Sequence, residues 1–473
     1  MSGHPIKFGT DGWRAIIAED YTFDNVRACA QGAAQYFKST GGADGGIVVG
    51  YDTRFESDAF AAAVAEVLAA NGVRVFLCDS PAPTPVIGYS ILTHKAAGSV
   101  VITSSHNPAA YNGFKLRTGN GASAPPEILA QVEAMIGEAY GRATPRMSLA
   151  EAIGKGLVQT FDPKPAYLQH IRALTPDVGK GGLRVLADPM YGAGAGYIRD
   201  VLAGSTHQVH EIRGEVNPAF PGMHNPEPIP RNLDATVAAV REFKADVALC
   251  TDGDADRIGV LNGNGEFVNQ LETYALLAYY LLEVRGERGP MVKSVTTTSM
   301  IWRLGELYGV PVYETPVGFK YLGAKMIETD AIIAGEESGG FAFRGHLPER
   351  DGVLSGLYIL DLMARRGKSL PALIEELFAR VGPHYYDRID ISLDPAGRDR
   401  IAALLPSLRP KEIAGLRVEG IDTTDGLRFL LDGGAWALIR LSGTEPLMRI
   451  YTEVHDRTKV QTVLHAVREL TGA

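Results

Sequence analysis

The chain has 473 residues, of which 45% are hydrophobic and 21% are charged. This balance is typical of a globular protein, and the length predicts about three or four domains rather than one core. The formal net charge of −9 argues against non-specific binding to nucleic acids or anionic membranes, because like charges repel. A small anionic substrate fits this charge only if Arg and Lys side chains gather locally.

The cysteines and the start of the chain bear on the compartment. Cys29, Cys78 and Cys250 lie far apart in apolar surroundings, so we interpret them as buried free thiols in a reducing compartment. No Cys/His spacing indicates zinc. Residues 1–5 lack the basic and apolar regions of a secretory signal, and the longest apolar tract, residues 59–70, is too short to cross a bilayer. We therefore expect a cytoplasmic protein with no membrane or nucleic-acid partner.

In chain order, the hydrophobic pattern first predicts alternating helices and strands with short connections. The predicted elements are a helix at residues 24–37, a strand at 47–51, a helix capped by Ser57 at its start and by Asn71 and Gly72 at its end, a strand at 73–78, a helix at 86–94, a strand ending at Ile102 and a helix from Pro126. On that last helix Ile128, Val132 and Met135 share one face. A polar segment at residues 141–156 predicts the first domain boundary.

Two more α/β units follow, and the end of the chain has a different pattern. The predicted helices lie at residues 165–174, 195–202, 233–243, 270–284, 300–308 and 319–328, and the predicted strands at 183–187, 209–212, 247–250, 292–296, 310–314 and 331–334. Residues 192–196, Gly-Ala-Gly-Ala-Gly, lack the complete GxGxxG spacing and are interpreted as a packing turn rather than a dinucleotide site. Short strands, a hairpin turn at 424–426 and a terminal helix predict a smaller α+β domain at the end.

The predicted fold is therefore three consecutive α/β domains with mixed, mostly parallel sheets, followed by a smaller C-terminal α+β domain. The predicted boundaries are residues 1–145, 155–262, 263–380 and 381–473. Each of the three α/β units ends one strand in a polar loop, which indicates structural repetition without visible sequence identity.

The first of these polar loops, residues 103–108, has the sequence Thr-Ser-Ser-His-Asn-Pro. Pro108 fixes its own φ and disfavours a helical conformation at Asn107, so the loop cannot continue as a helix. Ser105 and His106 therefore follow a strand, where open α/β sheets place their ligands. The serine could be a nucleophile or carry a phosphate, although a serine that merely caps a turn is the commoner case. A serine hydrolase is disfavoured because the chain has no GxSxG turn.

The second loop, residues 251–257, has the sequence Thr-Asp-Gly-Asp-Ala-Asp-Arg. Asp252, Asp254 and Asp256 alternate along it, and oxygen ligands at this spacing suit Mg²⁺. An EF-hand loop would need Gly at its sixth position and Glu at its twelfth, and neither is present. A dehalogenase-type phosphatase also begins with Asp-x-Asp at a strand end, but it usually has Thr or Val where Asp256 stands. The remaining alternative is a solvated acidic turn.

Together the two loops resemble those of the α-D-phosphohexomutase superfamily, whose members move a phosphoryl group between C1 and C6 of a hexose. Three further segments extend the resemblance over nearly the whole chain: Phe-Gly-Thr-Asp-Gly-Trp-Arg at residues 8–14, Gly-Glu-Glu-Ser-Gly-Gly at 335–340 and Arg-Leu-Ser-Gly-Thr-Glu at 440–445. The resemblance implies four domains around a central cleft, a phosphoserine at position 105 and Mg²⁺ as the cofactor.

The resemblance also implies roles for individual residues. Ser105 carries the phosphate and shares the metal with Asp252, Asp254 and Asp256. Further catalytic candidates are His106, Lys115, Arg257 and Arg14; sugar-binding candidates are Thr315, Gly318, Lys320, Glu336, Ser338 and His346; phosphate-binding candidates are Arg440, Ser442, Gly443, Thr444 and Arg449. Fixed cations among them would stabilise charge on a transferring phosphoryl group. Because such residues are also common as solvated side chains, these assignments depend on the family positions.

The activity that the resemblance implies is that of a phosphoglucomutase, with glucose 1,6-bisphosphate as intermediate and activator. Residues 315–320 resemble the glucose-preferring branch, and Glu337 and Gly340 stand where phosphomannomutase-like members commonly have Met and His. This departure leaves Lys115, His106 and His346 as alternatives for the general acid/base. Other interpretations stay open: a phosphomannomutase or dual-specificity enzyme, a phosphoglucosamine mutase, an aspartate-loop phosphatase, or a non-catalytic sugar-phosphate-binding protein.

Overall fold

The computed structural model describes residues 6–9, 11–442 and 447–472, and its chain separates into two compact units. Unit 1 contains the chain up to Val268 together with Ser338–Leu370, and unit 2 contains Asn269–Glu337 together with the chain from Pro371. Mixed sheets flanked by helices and a C-terminal antiparallel sheet make up these units, so the predicted mixed α/β fold is confirmed.

Unit 1 begins with a six-stranded mixed sheet. Its elements are β1 (Trp13–Ile16), α1 (Phe23–Ser39), β2 (Ile47–Tyr51), α2 (Ser57–Ala70), β3 (Val75–Cys78), α3 (Thr84–His94), β4 (Gly98–Ile102), β5 (Tyr111–Thr118), α4 (Pro126–Ala139), α5 (Leu149–Gly154) and β6 (Val158–Phe161). The strand order is β1-β5-β4-β2-β3-β6. Strands β2 and β4 are parallel neighbours, so the loops that follow them leave the same edge of the sheet.

One local prediction about these helices is wrong. Ser57 is not the N-cap of α2, because Glu56 occupies that position with a φ of 57°; the Ser57 hydroxyl instead donates to the carboxylate of Asp52. Of the three residues that share a face on α4, Val132 is buried and Ile128 and Met135 are half-buried; the other buried residues are Leu129, Ile136 and Ala139. The reason is tertiary, since α4 packs on α1, where Gly32 leaves the space that the Ile136 side chain fills.

A five-stranded sheet follows in unit 1, with strand order β11-β10-β9-β7-β8. Its elements are α6 (Lys164–Leu174), β7 (Arg184–Asp188), α7 (Tyr197–Val201), β8 (Gln208–Glu211), α8 (Asp234–Phe243), β9 (Val247–Thr251), β10 (Ile258–Asn262) and β11 (Phe267–Val268). A Cβ on Gly192 would lie 2.7 Å from the Gly253 carbonyl oxygen, and one on Gly194 would lie 2.5 Å from the Thr251 hydroxyl. The glycine-rich segment is therefore a packing turn, as predicted.

The third α/β segment contributes to both units. Its elements are α9 (Gln270–Tyr279), which continues as a π-helical turn over Tyr280–Val284, β12 (Met291–Ser294), α10 (Met300–Tyr308), β13 (Val312–Thr315), α11 (Phe319–Thr329), β14 (Ile333–Gly335), β15 (Phe341–Phe343), α12 (Gly352–Arg366) and α13 (Leu370–Val381). In unit 2, β12 pairs in parallel with β13 on one side and with β14 on the other.

The C-terminal domain lies in unit 2 and is built on an antiparallel sheet with strand order β16-β21-β20-β19-β18-β17. Its elements are β16 (Tyr385–Ser392), α14 (Pro395–Leu404), β17 (Glu412–Ile413), β18 (Leu416–Asp422), β19 (Leu427–Leu431), β20 (Trp436–Leu441), β21 (Leu447–Val454) and α15 (Val460–Thr471). Helix α15 buries Val463, Leu464 and Val467 in the same apolar core as Phe429 and Ile450.

The cysteines and the helices of the described residues bear on two expectations from the sequence, free thiols and no membrane span. Cys29, Cys78 and Cys250 are buried free thiols, as predicted. None of the helices in the described part of the chain combines the length and the apolar character needed to cross a membrane.

Candidate active site

Ser105 lies in the loop between β4 and β5, and its backbone is held in an unusual conformation. Its φ of 50° falls in the left-handed region that non-glycine residues rarely adopt. The Ser105 amide donates to the Thr103 hydroxyl over 2.9 Å, and that hydroxyl donates to Asp52. Ser105 is only 1% exposed. The surrounding contacts therefore fix one orientation of this serine.

A single guanidinium holds the rest of the serine loop. Arg54 is buried and pairs through Nε with Asp52 over 3.2 Å. Its two terminal nitrogens donate to four backbone carbonyls, at 2.6–2.9 Å, of Ser105, Asn107, Pro108 and Tyr111. Arg54 and Asp52 were not predicted from the sequence. Their position directly after β2, the parallel neighbour of β4, is the signal that could have identified them.

The three predicted metal ligands lie together after β9. Ligand oxygens of Asp252, Asp254 and Asp256 are all within 4.8 Å of one another, and the three residues are buried. Oδ1 of Asp254 and Oδ1 of Asp256 lack hydrogen-bond partners among the described residues. Burial and the two neighbouring carboxylates raise the pKa of Asp252 well above its usual range. Buried carboxylate oxygens that repel one another and are left unpaired fit a divalent cation with oxygen ligands.

The serine and aspartate loops touch directly. The Ser105 hydroxyl donates to Oδ2 of Asp252 over 2.8 Å. A Cβ on Gly253 would overlap the Ser105 carbonyl oxygen, so only glycine lets the two backbones approach this closely. Asn225 adds a bond from its side-chain amide to the carbonyl of His106, over 2.8 Å. The predicted proximity of Ser105 to the aspartates is therefore observed within unit 1.

Two cations offset part of the acidic charge. Lys115 is buried, and its Nζ lies 2.9 Å from Asp254 and 2.8 Å from Asp11. Although burial alone would lower it, the pKa of Lys115 is raised by these carboxylates. Arg350 lies 2.8 Å from Asp256 and 3.0 Å from Asp11. Asp11 and Arg350 were not predicted; Asp11 belongs to the 8–14 motif, which could have pointed to it, whereas Arg350 comes from a loop before α12 with no local signal.

The other predicted catalytic residues of unit 1 surround the same serine. Nδ1 of His106 is 3.4 Å from the Ser105 hydroxyl, and burial together with nearby cations, Arg257 first among them, lowers the His106 pKa well below its usual range. Arg14 donates to the Asn107 side chain over 2.5 Å. The Arg257 backbone amide donates to Asp252 over 3.1 Å. All five catalytic candidates are thus near one loop pair.

The predicted sugar contacts are divided between the two units. In unit 1, Ser338 is half-buried, and the buried His346 bonds to Asp351 and His170 over 2.9 and 3.1 Å. Its role as a sugar contact stays a prediction. In unit 2, buried Thr315 ends β13 and Lys320 lies 5.1 Å from the Tyr321 ring centroid.

The two remaining sugar-contact candidates, both in unit 2, meet each other. The Gly318 amide donates to Oε1 of Glu336 over 2.9 Å, and Gly318 has a φ of 129°. This bond joins the loop before α11 to the end of β14. Contact of either residue with a sugar stays a prediction.

The predicted phosphate-binding residues belong to the hairpin of β20 and β21 in unit 2. Arg440 and Arg449 are directly opposed in the ladder. Each guanidinium also has a carboxylate partner, Asp425 at 3.0 Å from Arg440 and Asp390 at 3.8 Å from Arg449, so the repulsion between the two like charges is partly offset within the protein. Ser442 is buried and its amide donates to the Leu447 carbonyl over 2.8 Å. Gly443 and Thr444 lie outside the described residues.

Comparison with known protein families gives four matches in order along the chain. The matching domain models are described as phosphoglucomutase/phosphomannomutase alpha/beta/alpha domain I at residues 5–142, domain II at 165–265, domain III at 270–381 and the C-terminal domain at 400–470.

Individual relatives match over nearly their full length. A Thermococcus kodakarensis protein named phosphoglucomutase/phosphomannomutase is 32% identical over 460 residues, covering 97% of this chain and 96% of the relative. A Methanothermobacter thermautotrophicus protein provisionally named phosphoglucosamine mutase is 31% identical and covers 96% and 97%. The crystal structure of a protein from Thermus thermophilus, provisionally described as a phosphomannomutase, has a TM-score of 0.87 at 36% identity and covers 99% and 100%.

The close approach of the two loops predicts a specific cost for a side chain at position 253. We expect Gly253→Ala to destabilise unit 1 by about 1–3 kcal/mol, because the added methyl group forces the Ser105 backbone away. The measurement is the apparent melting temperature by calorimetry. Gly154→Ala is the matched control, since a Cβ there meets nothing within 4 Å and should leave the melting temperature unchanged or slightly raised. Equal melting temperatures for the two variants would contradict the close contact.

Proposed function

Because the chain belongs to the phosphoglucomutase/phosphomannomutase family, and is thereby a phosphohexomutase of the isomerase class, we propose that it interconverts α-D-glucose 1-phosphate and glucose 6-phosphate. The observation that carries this proposal is the 2.8 Å contact between the Ser105 hydroxyl and the buried aspartate trio. Membership of the family confirms the resemblance inferred from the sequence. The sugar, the metal and the roles of individual residues are the proposed parts.

In the proposed reaction, the Ser105 oxygen carries a phosphoryl group between turnovers. The bond from phosphorus to Oγ breaks as a hydroxyl of the sugar phosphate attacks, and the hydroxyl proton passes to a base. Glucose 1,6-bisphosphate is the product of this first transfer. Its other phosphoryl group then returns to Oγ, so that phosphate and protons balance over the cycle.

The residues that would hold the metal are Asp252, Asp254 and Asp256, together with an oxygen on Ser105. Their unpaired buried oxygens and their hard-ligand chemistry favour Mg²⁺. When bound, Mg²⁺ supplies positive charge next to the transferring phosphoryl oxygens. Lys115 contributes further positive charge at the same trio, which suits a transition state with negative charge on several oxygens.

Two side chains near Ser105 are candidates for carrying the proton. His106 is the nearer by geometry, with Nδ1 3.4 Å from Oγ. Lys115 is engaged by Asp11 and Asp254, an arrangement that favours a fixed cation over a base. The third alternative, His346, already bonds to Asp351 and His170, which makes it the weakest candidate. The geometry therefore favours His106.

The non-reacting phosphate requires a separate binding site, and unit 2 offers one. Arg440 and Arg449 face each other across the β20–β21 ladder, and two neighbouring guanidinium groups suit the binding of one phosphate. Thr315, Gly318, Lys320, Glu336 and Ser338 are the proposed sugar contacts. A carboxylate and hydroxyls of this kind can hydrogen-bond sugar hydroxyls in either orientation of the substrate.

Glucose is the proposed sugar because of two positions in the 335–340 segment. Gly340 stands where a phosphomannomutase-like member has His, and Arg350 fills the space that a side chain there would need, since a Cβ on Gly340 would overlap the Arg350 side chain. Glu337 stands where such members have Met, and it pairs with Arg388 over 2.8 Å. Both departures are built into the packing. A phosphomannomutase, dual-specificity or phosphoglucosamine mutase activity is the alternative outcome.

The covalent step predicts that only Ser105 accepts phosphate. We expect Ser105→Ala to incorporate no label from glucose 1,6-bisphosphate labelled with ³²P and to lose mutase activity by roughly a thousandfold or more, as for other covalent nucleophiles. Ser104→Ala is the matched control, because Ser104 is the buried neighbour in the same loop, and it should keep both label and activity. Label on the Ser105→Ala protein would refute the proposal, and release of free phosphate without isomerised sugar would indicate a phosphatase.

The choice of glucose predicts an order of substrates. We expect kcat/KM for glucose 1-phosphate to exceed those for mannose 1-phosphate and glucosamine 1-phosphate by about tenfold or more, the discrimination that one altered hydroxyl or amino contact provides. The three values come from coupled assays on the same preparation with Mg²⁺ and a trace of the matching bisphosphate. A higher value for mannose or glucosamine would replace glucose as the physiological sugar and leave the mutase chemistry intact.

A further inference from the structure

In unit 2, the candidate sugar contacts and the candidate phosphate arginines share one apolar foundation. Leu271 and Val295 from the third α/β segment are buried in one cluster with Trp436, Leu438 and Tyr451 from the C-terminal sheet. Val317, from the loop of residues 315–320, packs against the same cluster. The loop of residues 315–320 and the C-terminal sheet that carries the two arginines are therefore joined through one buried apolar cluster.

Asp425 makes a polar connection between the loop of residues 315–320 and Arg440. It lies in the turn between β18 and β19, where Gly426, with a φ of 96°, lets the turn approach the Ile439 carbonyl. Oδ1 of Asp425 accepts from Nε of Arg440 over 3.0 Å, and Oδ2 accepts from the Val317 amide over 2.9 Å. One carboxylate thus orients the guanidinium and fixes the 315–320 loop at the same time.

The engagement of Nε leaves the other edge of the Arg440 guanidinium available. Its terminal nitrogens make no hydrogen bond or ion pair to any part of the chain that the structure describes. A guanidinium held at Nε presents those two nitrogens as a planar pair, the geometry that binds two oxygens of one phosphate.

Glu337 makes the second connection. Its carboxylate accepts from the Tyr386 hydroxyl over 2.6 Å and from Nη1 of Arg388 over 2.8 and 3.1 Å. Glu337 holds the pKa of Arg388 well above its usual range, as expected for a close, half-buried ion pair. The chain of charges continues from Arg388 to Asp390 over 3.4 Å and from Asp390 to Arg449 over 3.8 Å.

We propose that Asp425 and Glu337 are positioning residues that connect the two candidate sugar-contact segments to Arg440 and Arg449. They would hold the sugar-binding and phosphate-binding residues of unit 2 in fixed relative positions. Neither carboxylate touches the substrate. The inference rests on the proposed function, because it assigns Arg440 and Arg449 to the phosphate of a hexose phosphate. Preassembly lowers the ordering cost that binding would otherwise require.

The test measures binding directly, as the Kd of glucose 6-phosphate by titration calorimetry on the full-length protein. Asp425→Asn and Glu337→Gln keep the size of each side chain but remove its charge. We expect each to raise this Kd, and the KM for glucose 1-phosphate, roughly 10- to 100-fold, the loss that follows when a charge-assisted hydrogen bond is misdirected. The kcat should change far less than KM, which a general loss of folding would not produce.

Glu419→Gln is the matched control, because Glu419 lies on β18, the strand that leads into the same turn, and its ion pair with Arg417 is exposed. Its Kd should stay within about twofold of the unmodified protein, as expected for exposed pairs. Asp425→Asn should add a smaller effect in an Arg440→Lys background than in the unmodified protein, because lysine lacks Nε and only the contact with the Val317 amide is left to lose. An equally large effect in both backgrounds would contradict the action of Asp425 through Arg440.

An unchanged Kd in both Asp425→Asn and Glu337→Gln overturns the inference, as does a fall in kcat with KM unchanged. If Asp425→Asn does not fold, Asp425→Glu replaces it, with a smaller expected rise in Kd because the charge is kept. Failure of the proposed function has a different signature: the unmodified protein would bind glucose 6-phosphate without isomerising it, and the Kd comparison would still decide the inference. An unmodified protein that does not bind glucose 6-phosphate would refute both.

Discussion

The structure of the candidate active site depends on the contact between two loop backbones in unit 1. The carbonyl oxygen of Ser105 lies only 2.4 Å from the position that a Cβ on Gly253 would occupy, and the serine hydroxyl lies 2.8 Å from Asp252. Each loop is fixed from its own side. Arg54 holds the carbonyls of the serine loop, while Gly192 and Gly194 let a packing turn support the aspartate loop. Without both supports, a residue with a positive φ such as Ser105 would relax to a commoner conformation.

Charge balance is the second constraint on this site. Three buried carboxylates in one loop repel one another, and burial without compensation costs each of them on the order of several kcal/mol. Lys115 and Arg350 pair with these carboxylates and with Asp11, and Arg257 lies 3.8 Å from Asp256. Oδ1 of Asp254 still has no hydrogen-bond partner among the described residues, which suits a cation. In the proposed reaction, metal binding and phosphoryl transfer would be linked because the serine oxygen lies against the same carboxylates.

The sequence predicted the features that depend on local pattern. Strand β2 was predicted from its apolar run. The loops after β4 and β9 were predicted because polar side chains, Ser and His in one and Asp in the other, follow apolar runs there. The alternation of Asp252, Asp254 and Asp256 already indicated a cation site. Predictions that depended on tertiary neighbours failed or were never made. Ser57 bonds to Asp52 instead of capping its helix, and the buried face of α4 follows the space above Gly32 on α1.

Arg54, Arg350 and Asp425 show why part of the site could not be predicted. Each acts on a residue far away in the sequence, and an isolated Arg or Asp in a loop has no pattern that distinguishes it from a surface charge. Arg54 follows a strand whose parallel neighbour carries Ser105, so knowledge of the strand order would have singled it out. Asp425 lies in a turn that the sequence did predict, but its two partners, Arg440 and Val317, are brought to it only by the packing within unit 2.

The central claim is that Ser105 and the three aspartates form one metal-binding phosphoryl-transfer centre. The most direct test is the anomalous diffraction of crystals of the unphosphorylated protein soaked with Mn²⁺, an oxygen-seeking substitute for Mg²⁺. The account predicts one strong anomalous peak about 2.1 Å from an oxygen of each of Asp252, Asp254 and Asp256, with the Ser105 oxygen next to it. The absence of an anomalous peak at the three aspartates, or a peak far from Ser105, would contradict the central claim.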